Sequence, residues 1–285
     1  MSKLKIAVQK SGRLNEDSIN LLINCGIHID NGKDQLKASA TNFPLEVLYL
    51  RNGDIPQYVE DGVADLAIVG ENLLVESQNK IEIIRKLGFS KCKLSLAVPK
   101  EAEYLDVSFF EGKKIATSYP NTLQAYLNEK KVNAEIHLIK GSVEIAPNIG
   151  LAEGICDLVS SGSTLFKNGL KETDIILKSE ACLVKSTKLT VEQNNILNTL
   201  LFRIDAVQKG KKSKYVLMNV PNEKIEQIVA ILPGMRSPTV LPLAEKGWSS
   251  VHSVIEEGAF WEVIDQLKEA GAEGLLIVPI EKMVV

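Results

Sequence analysis

VEDGVADLAIVG (59–70) and LAEGICDLVSSG (151–162) lie 92 residues apart and read as two copies of one phrase. In each, an acid and a glycine (Asp61-Gly62, Glu153-Gly154) precede an apolar residue, and an Asp-Leu pair follows (Asp65-Leu66, Asp157-Leu158). A glycine closes each run (Gly70, Gly162). Physically, each copy is the glycine stop of a helix, a short buried strand and a tight turn into the next element. Such a duplication implies two similar α/β lobes facing each other across a cleft, although the same phrase also recurs by chance in α/β chains. The copies diverge at one informative place. Ile68-Val69 becomes Ser160-Ser161, hydroxyls in place of core residues at a strand's carboxyl end, where open α/β sheets bind ligands.

Working outward, short apolar runs at 4–8, 45–50, 65–69, 94–98, 114–118, 136–139 and 157–160 read as strands. They alternate with helical stretches such as 15–25 and 122–131, an α/β layering with largely parallel sheets. A helical stripe follows over 191–207, and the basic run QKGKKSK (208–214) reads as a solvated linker. Beyond it, strands at 215–220, 239–243, 248–255 and 275–278 enclose two amphipathic helices, the first with Asn222 as its expected cap. The order βαββαβ is that of a ferredoxin-like domain. The domain boundaries expected are 1–95 with 186–210 for the first lobe, 96–185 for the second, and 213–285 for the carboxy-terminal module.

The 285 residues suit two or three domains, and an apolar content of 45% is enough to build sizeable cores, which excludes whole-chain disorder. With 33 basic and 36 acidic side chains the formal charge is −3, so no global attraction to nucleic acid or to an anionic membrane is expected. The apolar run near the amino terminus is too short for a signal peptide's core, and no stretch approaches the roughly 18 apolar residues of a membrane span. The expectation is a cytoplasmic protein with neither nucleic-acid nor membrane partners. Cys25, Cys92, Cys156 and Cys182 are scattered and read as free thiols; His28, His137 and His252 are equally isolated.

Four constellations could carry chemistry. In CDLVSSGSTL (156–165) a strand delivers Asp157 and then Ser160, Ser161, Gly162, Ser163 and Thr164. Small hydroxyl residues around a glycine let backbone amides point inward, the arrangement that cradles a phosphate monoester; an ordinary serine-rich turn has the same composition. The lysine of a nucleoside-triphosphate loop is missing, which favours a ribose phosphate. In QKSGRL (9–14), Lys10 and Arg13 straddle Gly12 where the first strand meets its helix, a place for a charged clamp or simply for surface cations. GEN (70–72) offers Glu71, and GSVEIAP (141–147) offers Glu144; both acids also suit the first turn of a helix, with Ser142 as the cap of the second.

Together with IAVQKSGRL (6–14), KLSLAVP (93–99), KIATSYP (114–120), LPGMRSPTVLPL (232–243) and VPIEKM (278–283), these runs resemble the long, hexameric form of ATP phosphoribosyltransferase over essentially the whole chain. The resemblance implies a two-lobed catalytic region like a type II periplasmic binding protein, followed by an ACT-like, ferredoxin-like regulatory domain. It implies transfer of the 5-phosphoribosyl group from phosphoribosyl pyrophosphate to N1 of ATP, the first step of histidine biosynthesis, with Mg²⁺ required. It also implies feedback inhibition by histidine and a homo-oligomer between dimer and hexamer. Carried over residue by residue, Asp157, Ser160, Ser161, Gly162, Ser163 and Thr164 would hold the phosphoribosyl group. Lys10, Gly12, Arg13, Gly70 and Glu71 would hold ATP, with Arg13, Glu144 and Asp157 catalytic. Histidine would meet Asn219, Met235, Ser237, Thr239 and Gly274. Mg²⁺ would be held mainly by substrate phosphates. A non-catalytic binding protein or a regulatory paralogue is the alternative.

Overall fold

The computed structural model describes residues 2–30, 35–232 and 238–284. In chain order the first elements are β1 (Leu4–Gln9), α1 (Arg13–Asn24), β2 (Lys37–Ser39), β3 (Leu45–Leu50), α2 (Ile55–Glu60), β4 (Leu66–Gly70), α3 (Glu71–Ser77) and β5 (Glu82–Lys86). Then come β6 (Cys92–Pro99), β7 (Lys114–Thr117), α4 (Pro120–Lys130), β8 (Glu135–Leu138), β9 (Gly154–Val159), α5 (Ser163–Lys167), β10 (Leu170–Ser179) and β11 (Ala181–Lys185). The chain ends with α6 (Val191–Lys212), β12 (Ser213–Pro221), α7 (Ile225–Ile231), β13 (Thr239–Pro242), β14 (Trp248–Glu256), α8 (Glu257–Glu269) and β15 (Glu273–Pro279).

Among the described residues, those up to 20 and from 27 to 196 form one compact unit, and 21–26 with 197 onward a second. The first unit holds two sheets, ordered β2-β3-β1-β4-β11-β5 and β10-β6-β9-β7-β8. Their topologies match. In the first, β3, β1 and β4 are parallel, and β11 and β5 then pair antiparallel. In the second, β8, β7 and β9 are parallel, and β6 and β10 pair antiparallel. The central strands are apolar runs with both faces buried, as parallel strands covered on both sides must be: Ile6, Ala7 and Val8 in β1, Leu66 to Val69 in β4, Ile155 and Cys156 in β9.

The boundary between the lobes differs from the one read in the sequence. β6 belongs entirely to the second sheet and β11 to the first, so the chain crosses at residues 87–91 and again at Glu180, rather than at 95 and 185. The two crossings run side by side, with Leu87 N donating to Ala181 O (2.9 Å) and Ala181 N donating to Phe89 O (3.0 Å). Both exchanged strands are apolar, CKLSLAVP and ACLVK, so composition does not show which sheet receives them.

The register of β4 and β9 corrects the repeat. Leu66 and Ala67 stand beside Ile6 and Ala7 as Gly154 and Ile155 stand beside Ile115 and Ala116, an offset of 88. The helices begin at Glu71 and Ser163, an offset of 92. Four residues are therefore inserted between strand and helix in the second lobe. The counterpart of Asp65 is Glu153, not Asp157. Asp65 accepts Lys5 N (2.7 Å) and Glu153 accepts Lys114 N (2.8 Å), each carboxylate satisfying the backbone at the entry of its sheet. Asp157 falls instead at the place of the fully buried Val69.

In the second unit the sheet order β13-β14-β12-β15, antiparallel throughout, is ferredoxin-like. Its core joins Val216, Met218, Val220 and Val251 to Ile228, Phe260 and Leu267 of the two helices. The basic run 208–214 is no linker. α6 continues through it, and Gly210 is buried where a Cβ would come within 2.9 Å of backbone atoms of Ile280 and Glu281. That close approach is what the glycine permits. Asn222 does not cap α7; its Oδ1 accepts the hydroxyl of Ser249 (2.7 Å), and a 3-10 turn precedes the helix.

Candidate functional site

In both mixed sheets of the first unit a parallel strand, β4 or β9, ends in a strand-to-helix turn. In the first lobe β4 runs directly into α3, with extended Gly70 as the cap residue. A Cβ on Gly70 would collide with Oδ1 of Asn72. In the second lobe β9 stops at Val159; Ser160, Ser161 and Gly162 (φ +74°) intervene before α5. The first amides of any helix lack an intrahelical partner, so this turn presents N–H groups and the hydroxyls of Ser160, Ser161, Ser163 and Thr164 together. Ser161 and Ser163 share a hydrogen bond of 3.1 Å between their hydroxyls.

This loop forms most of the wall of a cavity of about 210 Å³, which Arg13, Glu144 and Asp157 complete. Arg13 comes from the other lobe, at the start of α1, after a turn in which Gly12 has φ +91° and Asn15 Nδ2 donates to Gln9 O (2.6 Å). Asp157 accepts its neighbour Leu158 N (2.8 Å). Burial, with Glu144 adding repulsion, pushes its carboxyl up to about 6 against the hydrogen bond that lowers it. An acid whose proton is held more tightly than usual, next to a hydroxyl-rich loop and a guanidinium, suits a site for a phosphorylated sugar.

A second cavity of about 310 Å³ shares Arg13 and Ser160 with the first and adds Gln9, Asn52, Gly70 and Asn72. Within it Oδ1 of Asn52 is a buried acceptor with no partner among the described residues. A third, of about 390 Å³, shares Lys91, Cys92 and Ser160 with the second and is lined by Glu71, Lys86, Lys93 and Lys178.

The structure thus brings Arg13, Glu144, Asp157, Ser160, Ser161, Gly162, Ser163 and Thr164 into one cavity and places Gly70 in the next. Glu71 lies apart from them in the third cavity, its carboxylate bound to Lys86 Nζ at 2.9 Å. Lys10 is exposed on its loop, where its amide donates to Leu50 O (2.8 Å), and neither it nor Gly12 lines these three cavities. Glu144 sits in a 3-10 turn rather than an α-helix, and Ser142, at φ +51°, makes no side-chain cap.

Sequence reasoning missed Asn72. It is buried, its Nδ2 donates to Tyr119 OH (3.1 Å), and its amide and Oδ1 both bond to Ser179 Oγ (3.0 and 2.9 Å). It stands 92 residues before Thr164, so the repeat contained the signal. Glu76 was also missed. It caps α4 of the other lobe, accepting Asn121 N, Thr122 N and Thr122 Oγ1 at 2.8 to 3.0 Å. Of the residues expected to meet histidine, Asn219, Thr239 and Gly274 lie on β12, β13 and β15 of the second unit, with Gly274 (φ +59°) so close to Asn219 that a Cβ would be 3.3 Å from its Nδ2. Met235 and Ser237 lie outside the described residues.

Comparison with known proteins identifies the family. The family model described as ATP phosphoribosyltransferase matches residues 51–206, and that of the HisG C-terminal domain matches 210–282. The chain belongs to the ATP phosphoribosyltransferase family. ATP phosphoribosyltransferases of Cytophaga hutchinsonii and Bacteroides fragilis are 57% and 56% identical to it, covering 99% of this chain and 98% and 100% of theirs. Matches to both domains are what the long form of the family carries, and membership makes the chain a transferase. The ATP phosphoribosyl transferase (HisG:HisZ) complex from Thermotoga maritima superposes at a TM-score of 0.61, 27% identical, covering 71% of this chain and 98% of that one. The substrate binding protein of an amino acid ABC transporter superposes at 0.50 and 10% identity, over 73% of this chain and 94% of that one; this likeness shows the two-lobed fold alone.

Proposed function

We propose that the chain transfers the 5-phosphoribosyl group from phosphoribosyl pyrophosphate to N1 of ATP, releasing pyrophosphate, as the first step of histidine biosynthesis. The observation that carries this reading is the four-residue insertion at the end of β9, which faces Asp157, Glu144 and Arg13 across one cavity. The loop suits a 5-phosphate, held by amides and hydroxyls with no lysine needed. Asp157 suits the ribose hydroxyls, accepting their hydrogen bonds as carboxylate. Arg13 suits the departing pyrophosphate, on which negative charge grows as the C1–O bond breaks. The attacking group is the adenine ring itself, so no activated protein nucleophile is needed. What the site contributes is alignment of N1 with C1 and stabilisation of charge at both ends of the breaking bond.

Among the described residues no three of His, Cys, Asp and Glu converge as metal donors. Mg²⁺ is proposed to arrive mainly on the substrate polyphosphates. Among the described residues no helix is long and apolar enough to cross a membrane, and the proposed location is the cytoplasm.

Incubation of the protein with ATP, phosphoribosyl pyrophosphate and Mg²⁺, with pyrophosphatase pulling the reaction forward, tests the reading. Phosphoribosyl-ATP should accumulate, detected by its ultraviolet absorbance; no product would leave a non-catalytic binding protein. We further propose that the second unit binds histidine as inhibitor and that the chain assembles as a dimer to hexamer. Asn219 offers only a neutral amide to the inhibitor's ammonium. Asn219→Asp should tighten histidine roughly two- to tenfold in calorimetry, as a charge-assisted bond replaces a neutral one. Weaker binding by the variant would remove Asn219 from the site.

A further inference from the structure

The two lobes of the first unit are fastened to each other beside the crossings, and α3 is the fastener. Glu71 N donates to Glu180 O (3.0 Å) on the return crossing, and Asn72 N donates to Ser179 Oγ (3.0 Å) at the end of β10. One turn further along α3, the carboxylate of Glu76 accepts Asn121 N (3.0 Å), Thr122 N (2.9 Å) and Thr122 Oγ1 (2.8 Å), and its backbone oxygen accepts Asn121 Nδ2 (3.0 Å). The two amides are ones that a helix leaves open at its amino end, and Tyr119, the cap residue of α4, makes no side-chain cap. The first turn of a helix in the second lobe is thus completed by a carboxylate from the first.

The same turn is bonded to the strand that carries the acid of the site. Tyr119 N donates to Thr117 Oγ1 (2.9 Å), and the buried Thr117 hydroxyl donates to Cys156 O (2.7 Å), the carbonyl just before Asp157. Asn72, on the wall of the second cavity, donates to Tyr119 OH (3.1 Å). Burial, and then the charge of Asp157, push that hydroxyl up to about 12, so this strut stays neutral beside the cavity. A continuous series of contacts therefore runs from α3 through the start of α4 to β9, relating a cavity wall in one lobe to Asp157 in the other. Glu76 itself lines none of the three cavities. Joining two bound substrates is sensitive to such spacing, since a misplacement of about 1 Å can cost on the order of 100-fold in rate. We propose that Glu76 is a positioning residue: acting through the first turn of α4, it sets the distance of Arg13 and Gly70 in one lobe from Asp157 and its loop in the other. This rests on the reading of the chain as a phosphoribosyl transferase.

The test compares Glu76→Ala and Glu76→Gln in the full chain, with Asp106→Ala as control. Asp106 caps the 3-10 turn 107–110 within the second lobe alone, accepting Ser108 N (2.8 Å). Glu76→Ala should lower kcat roughly tenfold, while its affinity for ribose 5-phosphate, a ligand for the loop of one lobe, changes less than about twofold in calorimetry. Glu76→Gln, whose amide oxygen keeps the Thr122 contacts, should recover most of the loss, and Asp106→Ala should keep the parent kcat. Thr122→Val, which deletes one contact from the other side of the joint, should lower kcat by about twofold or more. Hydrogen exchange needs no turnover. The amides of Leu87 and Ala181, which bond between the two crossings, should exchange roughly fivefold faster in Glu76→Ala and at the parent rate in Asp106→Ala. An inactive parent would sink the proposed reaction. Parent-like exchange at the crossings in Glu76→Ala, a parent-like kcat in both Glu76→Ala and Thr122→Val, or an equal fall in kcat for Asp106→Ala would reduce Glu76 to a helix cap and overturn its positioning role.

Discussion

β4 with α3 and β9 with α5 are the same construction made twice, and one of them has become a binding loop. In the first lobe the strand enters its helix without a break, and Val69 is sealed in the core. In the second, four added residues hold the helix away from the strand, and the position of Val69 is taken by Asp157 at the cavity floor. The difference shows how little a fold must change to acquire a site: one short insertion at a strand's carboxyl end and one core residue exchanged for an acid. The scaffold around both turns, a 2-1-3 parallel core with an antiparallel strand borrowed from the other lobe, stays unaltered.

Five substitutions, in four tests, bear on this comparison. The largest effect belongs to the loop and to the cation facing it. Thr164→Ala or Arg13→Ala should lower kcat/KM roughly 100- to 1,000-fold, the usual result of deleting a preorganised contact to developing charge. Wild-type kinetics for both substrates in either variant would show that the insertion is only a turn. Next comes the equivalence itself. Val69→Asp places in the first lobe the acid that the second lobe carries, but here the position is fully buried in the core. Urea unfolding should show a loss of at least about 3 kcal/mol, the penalty of an unpaired buried charge. A loss below about 1 kcal/mol would break the register on which the equivalence stands.

The third test goes the other way. Because the carboxyl of Asp157 is raised from its ordinary 3.8 to about 6 in the folded chain, ionising it opposes folding. The penalty is absent below pH 3.8, grows as pH rises, and is complete above about 6. Asp157→Asn should therefore gain about 1–3 kcal/mol of stability at neutral pH, lose the gain in acid, and lose activity throughout. A variant no more stable at neutral pH than the parent would mean that the acid is not strained. The smallest effect concerns the link between the lobes. Glu76→Ala removes the cap that the first lobe supplies to α4 and should cost about 1 kcal/mol by thermal unfolding. No change would mean that water caps that helix equally well.

Much of this was legible in the sequence because the features were local. The loop from Ser160 to Thr164, Asp157 and Arg13 announced themselves by residue type beside a strand, and the ferredoxin-like order followed from periodicity. The repeat was legible too, but its alignment was not. An Asp-Leu pair occurs in both copies, and only strand pairing shows that Asp65 corresponds to Glu153. Contacts made at a distance left no local trace. Asn72 bonds to Tyr119 and Ser179, and Lys178 lines the third cavity with Lys86, Lys91 and Lys93, which are 85 or more residues away in sequence. In α6 a basic run with a glycine looked like a linker, because its reason, the backbone of residues 280 and 281 lying against Gly210, is some 70 residues away.

The exchange of β6 and β11 also bears on how the chain is made. In the first sheet, β11 lies between β4 and the edge strand β5, so β5 has no partner in that sheet until residues near 185 are available. On a ribosome moving at about 5–20 residues per second, β5 must wait roughly 5–20 seconds for the strand that attaches it. During that interval the second lobe is being synthesised. The first lobe emerges first and is completed last, so neither lobe can be released, cut out or inherited as a finished piece without the other.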